Sequence, residues 1–421
     1  MSKDKAQKLF NSITDIKDEH IEAARGVPKR KIHWMRFAAA ACLAVAVTAG
    51  VIFGSLRSNK ELPMLHYTEP DYGCGFEGYW AYDISDLSNG NPWTEDAKIK
   101  TLPVYQNNIT YDIVQNYYGY SVDNMWQRLY ELVDRFGFDK DDVVYQDDAP
   151  EQRQIELFLE VYEREGMTPL PDDYFAPRTV EAIDGRNRIS VSFNNSVCIR
   201  LESDKLYSDG YDLSTYEGAC ELAEYLKNEY VLGKYKDVFG MKNPQISIIG
   251  SDYNIYGERG DYGITFYEKG KNIVEDLINY HFRTVGISGR YDEHEDCYIT
   301  TMSYNMSDDA SYLEEHTTKL GDYPIISADE AKQLLLDGYY ATSMVQWDMP
   351  GEEYIAKVEL IYRTSPSEQV FMPYYRFLIE LPEAGPLMKE EFGLKDYGAY
   401  YVPAVEGKYI DNMPTYDGSF N

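Results

Sequence analysis

The sequence predicts an α+β protein: an extracytoplasmic ectodomain of mostly antiparallel sheets with packed helices, carried on one N-terminal transmembrane helix. Three observations predict this arrangement. A run of 20 residues without charge lies near the N-terminus of the 421-residue chain. In the rest of the chain, strand-like segments joined by short turns alternate with a few amphipathic helices. The net charge is −31, and the excess of acidic residues follows the uncharged run.

The uncharged run, residues 37–56, reads FAAAACLAVAVTAGVIFGSL. Because a helix rises about 1.5 Å per residue, this run is about 30 Å long, the thickness of the hydrocarbon core of a bilayer. A soluble helix of this length would show a polar face, and this run has none. We therefore expect residues 37–56 to span the lipid bilayer. Cleavage after Ala44-Val45-Ala46 is the alternative, although the run is longer than the core of a usual signal peptide.

The charges beside the run predict its orientation. Five basic residues precede it closely and two follow it: Arg25, Lys29, Arg30, Lys31 and Arg36, then Arg57 and Lys60. The positive-inside rule places the N-terminus in the cytoplasm and the C-terminal part outside. Residues 1–60 carry 11 basic and 5 acidic residues, a net charge of +6, and the remainder carries 29 and 66, a net charge of −37. Because such an acidic surface repels phosphate groups, no nucleic acid partner is expected.

Residues 1–32 form the predicted cytoplasmic segment. Leu9, Ile13 and Ile16 recur at helical spacing, which predicts an apolar stripe. The segment is too short for an enzyme domain, but the stripe suits a helix that docks on a cytoplasmic regulator. The alternative is a juxtamembrane helix lying on the lipid surface, or a segment without stable structure.

Three further divisions follow the span. Residues 58–91 are predicted to be a stalk, residues 92–243 a first α+β unit and residues 244–421 a second. The stalk contains Gly73-Cys74-Gly75-Phe76-Glu77-Gly78, which matches G-x-G-x-x-G. That motif binds a dinucleotide only between an apolar strand and a helix. Here the flanking residues have a strand-then-turn pattern, so no cofactor is expected.

Apolar periodicity places the regular elements of the first unit and of the start of the second. Helices are predicted from Ser121, from Gln152 to Glu165, from Thr215 to Tyr230 and through Ile273–Ile278. Strands are predicted at Thr179–Ala182, Ile189–Phe193, Ser196–Leu201, Gln245–Ile249, Tyr262–Tyr267, Thr284–Ser288 and Cys297–Ser303. The Asp184-Gly185 turn joins the first two strands as a hairpin.

The C-terminal pattern is clearer still. Ser327 and Glu330 have the spacing of a capping box, which predicts a helix start, and Gly338 predicts its end. Three long strands then follow, at Tyr354–Arg363, Val370–Leu381 and Tyr397–Val405.

No metal site is predicted. The six histidines form no H-E-x-x-H motif and no pair at i,i+4. The acidic run from Asp292 to Cys297 is interpreted as a solvated hairpin turn, since consecutive side chains alternate in direction. The acidic residues between Asp139 and Asp148 lack the glycine and glutamate of an EF-hand loop.

The remaining signals leave alternatives open. No nucleophile, base and orienting group can be named together, so a non-catalytic protein is expected. Four cysteines after the span allow two disulfides in three pairings or single buried thiols: Cys74, Cys198, Cys220 and Cys297. The paired tyrosines at 339–340, 374–375 and 400–401 suit a groove for sugars or peptides, but strand packing is the favoured interpretation.

Several phrases resemble a group of single-pass membrane proteins from Gram-positive gut bacteria. They are TLPVYQN (101–107), ISADEAKQLLLDGYY (326–340), YIAKVELIYRT (354–364), MPYYRFLIEL (372–381) and YGAYYVPAVEGKY (397–409). The layout is similar to that of anti-sigma factors and of auxiliary subunits of sensor kinases. The cytoplasmic part is shorter than an anti-sigma domain, which argues against direct binding of a sigma factor.

The sequence thus predicts a membrane-anchored regulatory or sensory protein whose ectodomain meets an envelope ligand or protein. The alternative is a passive cell-surface module that binds a cell-wall polymer or a peptide.

Overall fold

The computed structural model describes residues 61–68, 78–84, 90–108, 110–112, 116–118, 122–164, 174–193, 196–203, 209–250, 253–260, 262–294, 296–304, 317–342, 344, 349–364, 368–383 and 390–416. The predicted cytoplasmic segment and the predicted span lie outside these ranges. Within them, no helix combines the length and the apolar character needed to cross a membrane. The described residues belong almost entirely to one compact unit, Leu62–Asn421.

The fold is α+β with mostly antiparallel sheets. The strands are β1 Gly78–Ala81, β2 Thr101–Asn107, β3 Thr110–Asp112, β4 Asn116–Tyr118, β5 Val144–Asp147, β6 Thr179–Asp184, β7 Asn187–Ser192, β8 Val197–Ser203, β9 Pro244–Ile249, β10 Gly263–Glu268, β11 Thr284–Asp292, β12 Cys297–Tyr304, β13 Thr317–Pro324, β14 Ala341–Thr342, β15 Ile355–Tyr362, β16 Val370–Phe371, β17 Pro373–Glu380 and β18 Lys395–Pro403. The helices are α1 Val122–Phe136, α2 Gln152–Arg164, α3 Tyr216–Leu226, α4 Lys236–Phe239, α5 Ile273–Phe282 and α6 Ala328–Leu336.

The largest sheet has eight strands in the order β5-β6-β7-β8-β12-β11-β10-β9. The predicted β6–β7–β8 meander is confirmed, and Gly185 takes a φ of 59° in the first turn, where the left-handed backbone favours glycine. Helices α1 and α3 bury one face each against the sheet, because their apolar residues recur every three or four positions.

The second sheet has five strands, with the path β1-β18-β17-β15 and β14 beside β18. Both of its faces are covered by apolar residues. Tyr374 and Tyr375 therefore both lie buried, although consecutive side chains on a strand point to opposite faces. Tyr400 and Tyr401 are buried for the same reason. These two pairs pack as the favoured interpretation predicted, although Tyr375 also lines a cleft at the start of α6. In the third pair, Tyr340 is buried and Tyr339 is 41% exposed.

Helix α5 lies between the two large sheets. Asn272 caps it by accepting hydrogen bonds from the N–H groups of Val274 and Glu275. Ile278 and Phe282 on its outer face pack with Tyr362 of the five-stranded sheet. Helix α6 begins with the predicted capping box, in which Ser327 and Glu330 hydrogen-bond reciprocally.

Two predicted divisions differ from the structure. Strand β8 pairs with β12 over seven residues, so the boundary predicted between residues 243 and 244 falls inside one continuous sheet. The range predicted to be a stalk, 58–91, contributes buried side chains to the core, among them Leu65, Tyr67 and Ala81. These parts of the range belong to the folded unit, because backbone bonds join them to residues 395–411.

Candidate functional site

The main candidate site is a group of three aromatic side chains, Trp126, Tyr130 and Tyr145, which we call the α1/β5 aromatic surface. The rings of Trp126 and Tyr130 stack with their centroids 5.9 Å apart. Tyr145 meets Tyr130 edge-on at 5.1 Å and Trp126 at 6.4 Å. Tyr130 is 49% exposed and Tyr145 is 39% exposed. Large exposed rings grouped in this way are typical of binding surfaces.

The amphipathic pattern of α1 creates this surface. Met125, Leu129 and Leu132 face the core and are almost completely buried. Trp126 and Tyr130 are spaced four residues apart, so they lie one above the other on a different face of the helix. Helix α1 thus presents the exposed ring of Tyr130 beside the half-buried ring of Trp126, which also packs against the core, while the apolar face of the helix anchors it.

Strand β5 supplies the third ring and forms the end of the eight-stranded sheet. Among the strands that the structure describes, β5 pairs only with β6, in a register from Val144 opposite Ile183 to Asp147 opposite Val180. All four residues of β5 are exposed. The Asp148 carboxylate accepts hydrogen bonds from the N–H groups of Arg178 and Thr179, at 2.7 and 2.9 Å, and so fixes the end of β5 to the start of β6.

The surroundings of the aromatic surface are acidic. Residues 122–148 contain eight acidic and three basic residues. Lys140 is paired with Asp134 at 2.5 Å, and this hydrogen bond raises the pKa of Lys140. Partial burial, followed by the charges of Tyr130 and Asp134, raises the pKa of Tyr145, so its hydroxyl stays protonated at neutral pH. The surface therefore presents neutral aromatic rings within a field of negative charge.

Helix α2 carries a second exposed apolar surface. None of its residues is buried, and Leu157 and Val161 are 55% and 48% exposed. Phe158 of this helix does make contacts outside it: its ring packs on the rings of Tyr174 and Phe175, with centroids 5.4 and 5.6 Å away. A helix of this length has little stability alone in water. None of its residues is buried, so contacts to the core do not explain its apolar residues.

A buried ionic layer lies in the five-stranded sheet. Glu359 is 2% exposed and pairs with Arg376 and with Lys357. Nearby, Glu368 is also 2% exposed and lies 2.9 Å from Arg363. Burial raises the pKa of Glu368 to about 7 against the opposing effect of Arg363. Each of these carboxylates is paired with basic side chains of the same fold, which suits a structural role better than a role in binding.

Three clefts lie elsewhere in the described part of the chain. One of about 380 Å³ lies beside α5 near Tyr105 and Arg283, and one of about 350 Å³ lies at the start of α6 near Trp93. A third, of about 510 Å³, lies at the start of β12 and is lined mostly by polar residues. Arg283 donates to the Asn279 side chain at 2.9 Å, and a backbone carbonyl at the second cleft accepts from Tyr375 Oη. Arg283 in the first cleft and Tyr375 in the second are therefore each engaged within the protein.

The structure places some of the predicted features and leaves others outside its description. Leu9, Ile13 and Ile16 lie outside the described residues, as does most of the glycine motif at 73–78. The acidic run from Asp292 forms the predicted hairpin turn, and Asp292 itself pairs with Arg200 and Arg290 at 3.0 and 3.2 Å. No group of three metal-binding side chains is gathered among the residues that the structure describes.

The described cysteines lie apart. Cys198, Cys220 and Cys297 are free thiols, and Cys74 is outside the described ranges. Burial raises the pKa of the Cys198 thiol, which keeps it protonated and poorly nucleophilic. The sequence left disulfides and single thiols open as alternatives. These three residues are single thiols.

Sequence reasoning missed the α1/β5 aromatic surface. It identified the apolar face of α1 but did not consider Trp126 and Tyr130, whose i,i+4 spacing outside that face was a usable signal. The contribution of Tyr145 carried no such signal, because it depends on β5 ending the sheet beside α1. Comparison with known proteins found no matching family model, no similar curated protein and no similar solved structure.

Proposed function

We propose that this chain is a membrane-anchored regulatory or sensory protein, without catalytic activity of its own, whose extracytoplasmic part binds an envelope ligand or protein. Residues 37–56 span the bilayer in this proposal, with the N-terminus in the cytoplasm. The observation that carries the proposal is the α1/β5 aromatic surface, where Tyr130 and Tyr145 stay exposed on rigid elements. Rigid, exposed aromatic rings are a common basis of protein recognition.

The proposed contact with a cytoplasmic regulator is argued from the sequence. The stripe of Leu9, Ile13 and Ile16 would dock on a cytoplasmic regulator, so that occupancy outside alters a contact inside. Residues 62–67 are tied into the folded unit, because Leu65 donates a backbone hydrogen bond to Tyr409 and is 1% exposed. A firmly attached segment beside the membrane supports transmission better than a loose linker does.

A passive cell-surface module is the alternative. The exposed ring of Tyr130, stacked on Trp126, favours it, because flat aromatic faces also bind the sugar rings of cell-wall polymers. The two functions differ in their inward effect, since only a regulatory protein requires the cytoplasmic stripe.

Site-specific photocrosslinking in native membranes tests the proposal. A photoreactive residue replaces Asp147, which is exposed on the same face of β5 as Tyr145, in the full chain. A matched probe replaces Ile255, which is 61% exposed in a turn elsewhere. We expect an adduct of one defined mass from position 147 alone, and its loss in Tyr130→Ala/Tyr145→Ala. The triple variant Leu9→Glu/Ile13→Glu/Ile16→Glu should leave that adduct unchanged. It should change the levels of cellular transcripts, because it removes the contact with the cytoplasmic regulator. Equal adducts from both positions would remove the proposed site, and unchanged transcripts would favour the passive module.

A further inference from the structure

We propose that β5 accepts an extended, cationic segment of a partner protein as a ninth strand of the large sheet, with the partner's lysine or arginine side chains against Tyr130 and Tyr145. This inference rests on the proposed function, because it names the class of partner that the α1/β5 aromatic surface would bind.

The two ends of the eight-stranded sheet differ in access. In an antiparallel pair, every second residue directs its N–H and C=O groups away from its partner strand. Two of the four exposed residues of β5 therefore offer main-chain groups outward. At the other end, Ser247 of β9 is completely buried, and a methyl group placed on Gly90 would lie 2.7 Å from the Ser247 Cα atom. Among the residues that the structure describes, strand addition is therefore open at β5 and closed at β9.

The side chains around β5 predict the charge of the added strand. Tyr145 projects from β5 to meet Trp126 and Tyr130, so alternate side chains of a neighbouring strand would lie beside exposed rings. A cation above such a ring is attracted to its negative face. The excess of acidic residues in 122–148 attracts the same cations.

Charge also argues against a second copy of this chain as the added strand. Pairing of β5 with itself would bring together two copies of Asp147 and Asp148, beside Asp141 and Asp142 of each chain. Charged residues at the edge of a sheet are a common protection against such self-association. The same acidic residues attract a basic strand, so they favour a basic partner over an acidic one.

Fluorescence anisotropy with the full chain in detergent micelles tests the inference. The probe is an eight-residue labelled peptide that alternates lysine with valine. A peptide with glutamate in place of lysine tests charge. Because any cationic peptide is attracted to so acidic a protein, a third peptide keeps the lysines but carries N-methyl groups on its four central residues, which removes the amide donors from both edges.

We expect the lysine peptide to bind, and the glutamate and N-methylated peptides to bind at least about tenfold more weakly. Tyr130→Ala/Tyr145→Ala should weaken binding about tenfold, the combined effect of two cation–π contacts. Tyr256→Ala is the matched control, because Tyr256 is 70% exposed in a turn far along the sequence, and it should bind normally. Circular dichroism melting of each variant establishes that it is folded.

Equal binding of the plain and N-methylated peptides would overturn strand addition, and so would equal losses in the Tyr256 control and in the double variant. If the probe at Asp147 forms its adduct while the lysine peptide fails to bind, the inference falls and the proposed function stands. If the peptide binds as expected but no site-specific adduct forms in membranes, the strand site stands and the proposed function falls.

Discussion

Arg376 and Glu359 face each other across the neighbouring strands β17 and β15, and the guanidinium donates two hydrogen bonds to one carboxylate oxygen, Oε2. The bond from Nε is 3.1 Å long. Lys357 approaches the other oxygen, Oε1, at 3.0 Å. One buried carboxylate therefore holds two cations inside the five-stranded sheet.

Glu359→Ala should destabilise the fold by about 3 kcal/mol, because it leaves Arg376 largely buried without its counter-charge. Urea unfolding of the full chain in micelles, followed by near-UV circular dichroism, measures the free energy of unfolding. Lys357→Ala is the control, and it should cost about 1 kcal/mol or less because Lys357 is more exposed. Equal losses in the two variants would show that Glu359 does not act through Arg376.

Glu368 should make the protein less stable as the pH rises from about 4.5 to about 7. Burial raises the pKa of this carboxyl to about 7, and its Oε2 atom has no hydrogen-bond partner among the described residues. Between these pH values the folded chain keeps a proton that the unfolded chain has released, so unfolding is favoured as the pH increases. Below about pH 4.5 the contribution is fully present, since both states are protonated there.

The measurement is the difference between urea midpoints at pH 5 and pH 7.5. Glu368→Gln should reduce this difference relative to the original chain. Glu160→Gln removes the same charge from an exposed site on α2 and should leave the difference almost unchanged. The assignment to Glu368 would be wrong if both variants behaved alike.

Asp148→Ala should loosen the end strand β5. The carboxylate fixes this end of β5 through the N–H groups of Arg178 and Thr179, and the substitution removes both hydrogen bonds. We expect amide hydrogen exchange in residues 144–147 to become about tenfold faster, which corresponds to about 1.4 kcal/mol of local stability. Asp147→Ala is the control, since its carboxylate contacts only the nearby N–H of Ala149 at 3.1 Å. Similar exchange rates in both variants would contradict this role.

Gly218→Ala should destabilise the protein, although alanine normally favours helices over glycine. Gly218 lies in the first turn of α3, and a methyl group there would meet the carbonyl oxygen of Asp212 at 2.1 Å. The backbone must shift to accommodate it, at a cost of about 1–3 kcal/mol. Gly407→Ala has no atom within 4 Å of the new methyl group and should be nearly neutral in the same urea titration. A stabilised Gly218→Ala variant would refute the close approach.

Local patterns were sufficient to predict most individual elements. The Asp184-Gly185 turn and the alternation around it specified the β6–β7 hairpin, because both signals depend only on neighbouring residues. Ser327 and Glu330 specified the start of α6 in the same way. Both features depend on interactions between residues close in the sequence, so they could be predicted without knowledge of the tertiary structure.

The order of the strands could not be predicted in this way. Strand β8 lies beside β12, which is almost a hundred residues later in the chain, and both strands belong to one sheet whose core also includes residues of α1 and α3. A change of pattern near residue 243 therefore indicated a boundary that the folded chain does not have. The same limit applies to Tyr145, whose role depends on which strand ends the sheet.

The attachment of residues 65–67 has a mechanical consequence. Leu65 donates its N–H to Tyr409 and accepts from the N–H of Asp411, while the N–H of Tyr67 donates to the Asn412 side chain. The chain segments around Leu65 and Ile410 run parallel, so a pull on the chain at residue 62 loads these hydrogen bonds first. Residues 404–409 connect this attachment to β18, which ends at Pro403. Tension entering from the N-terminal side would thus be passed through these hydrogen bonds to the five-stranded sheet.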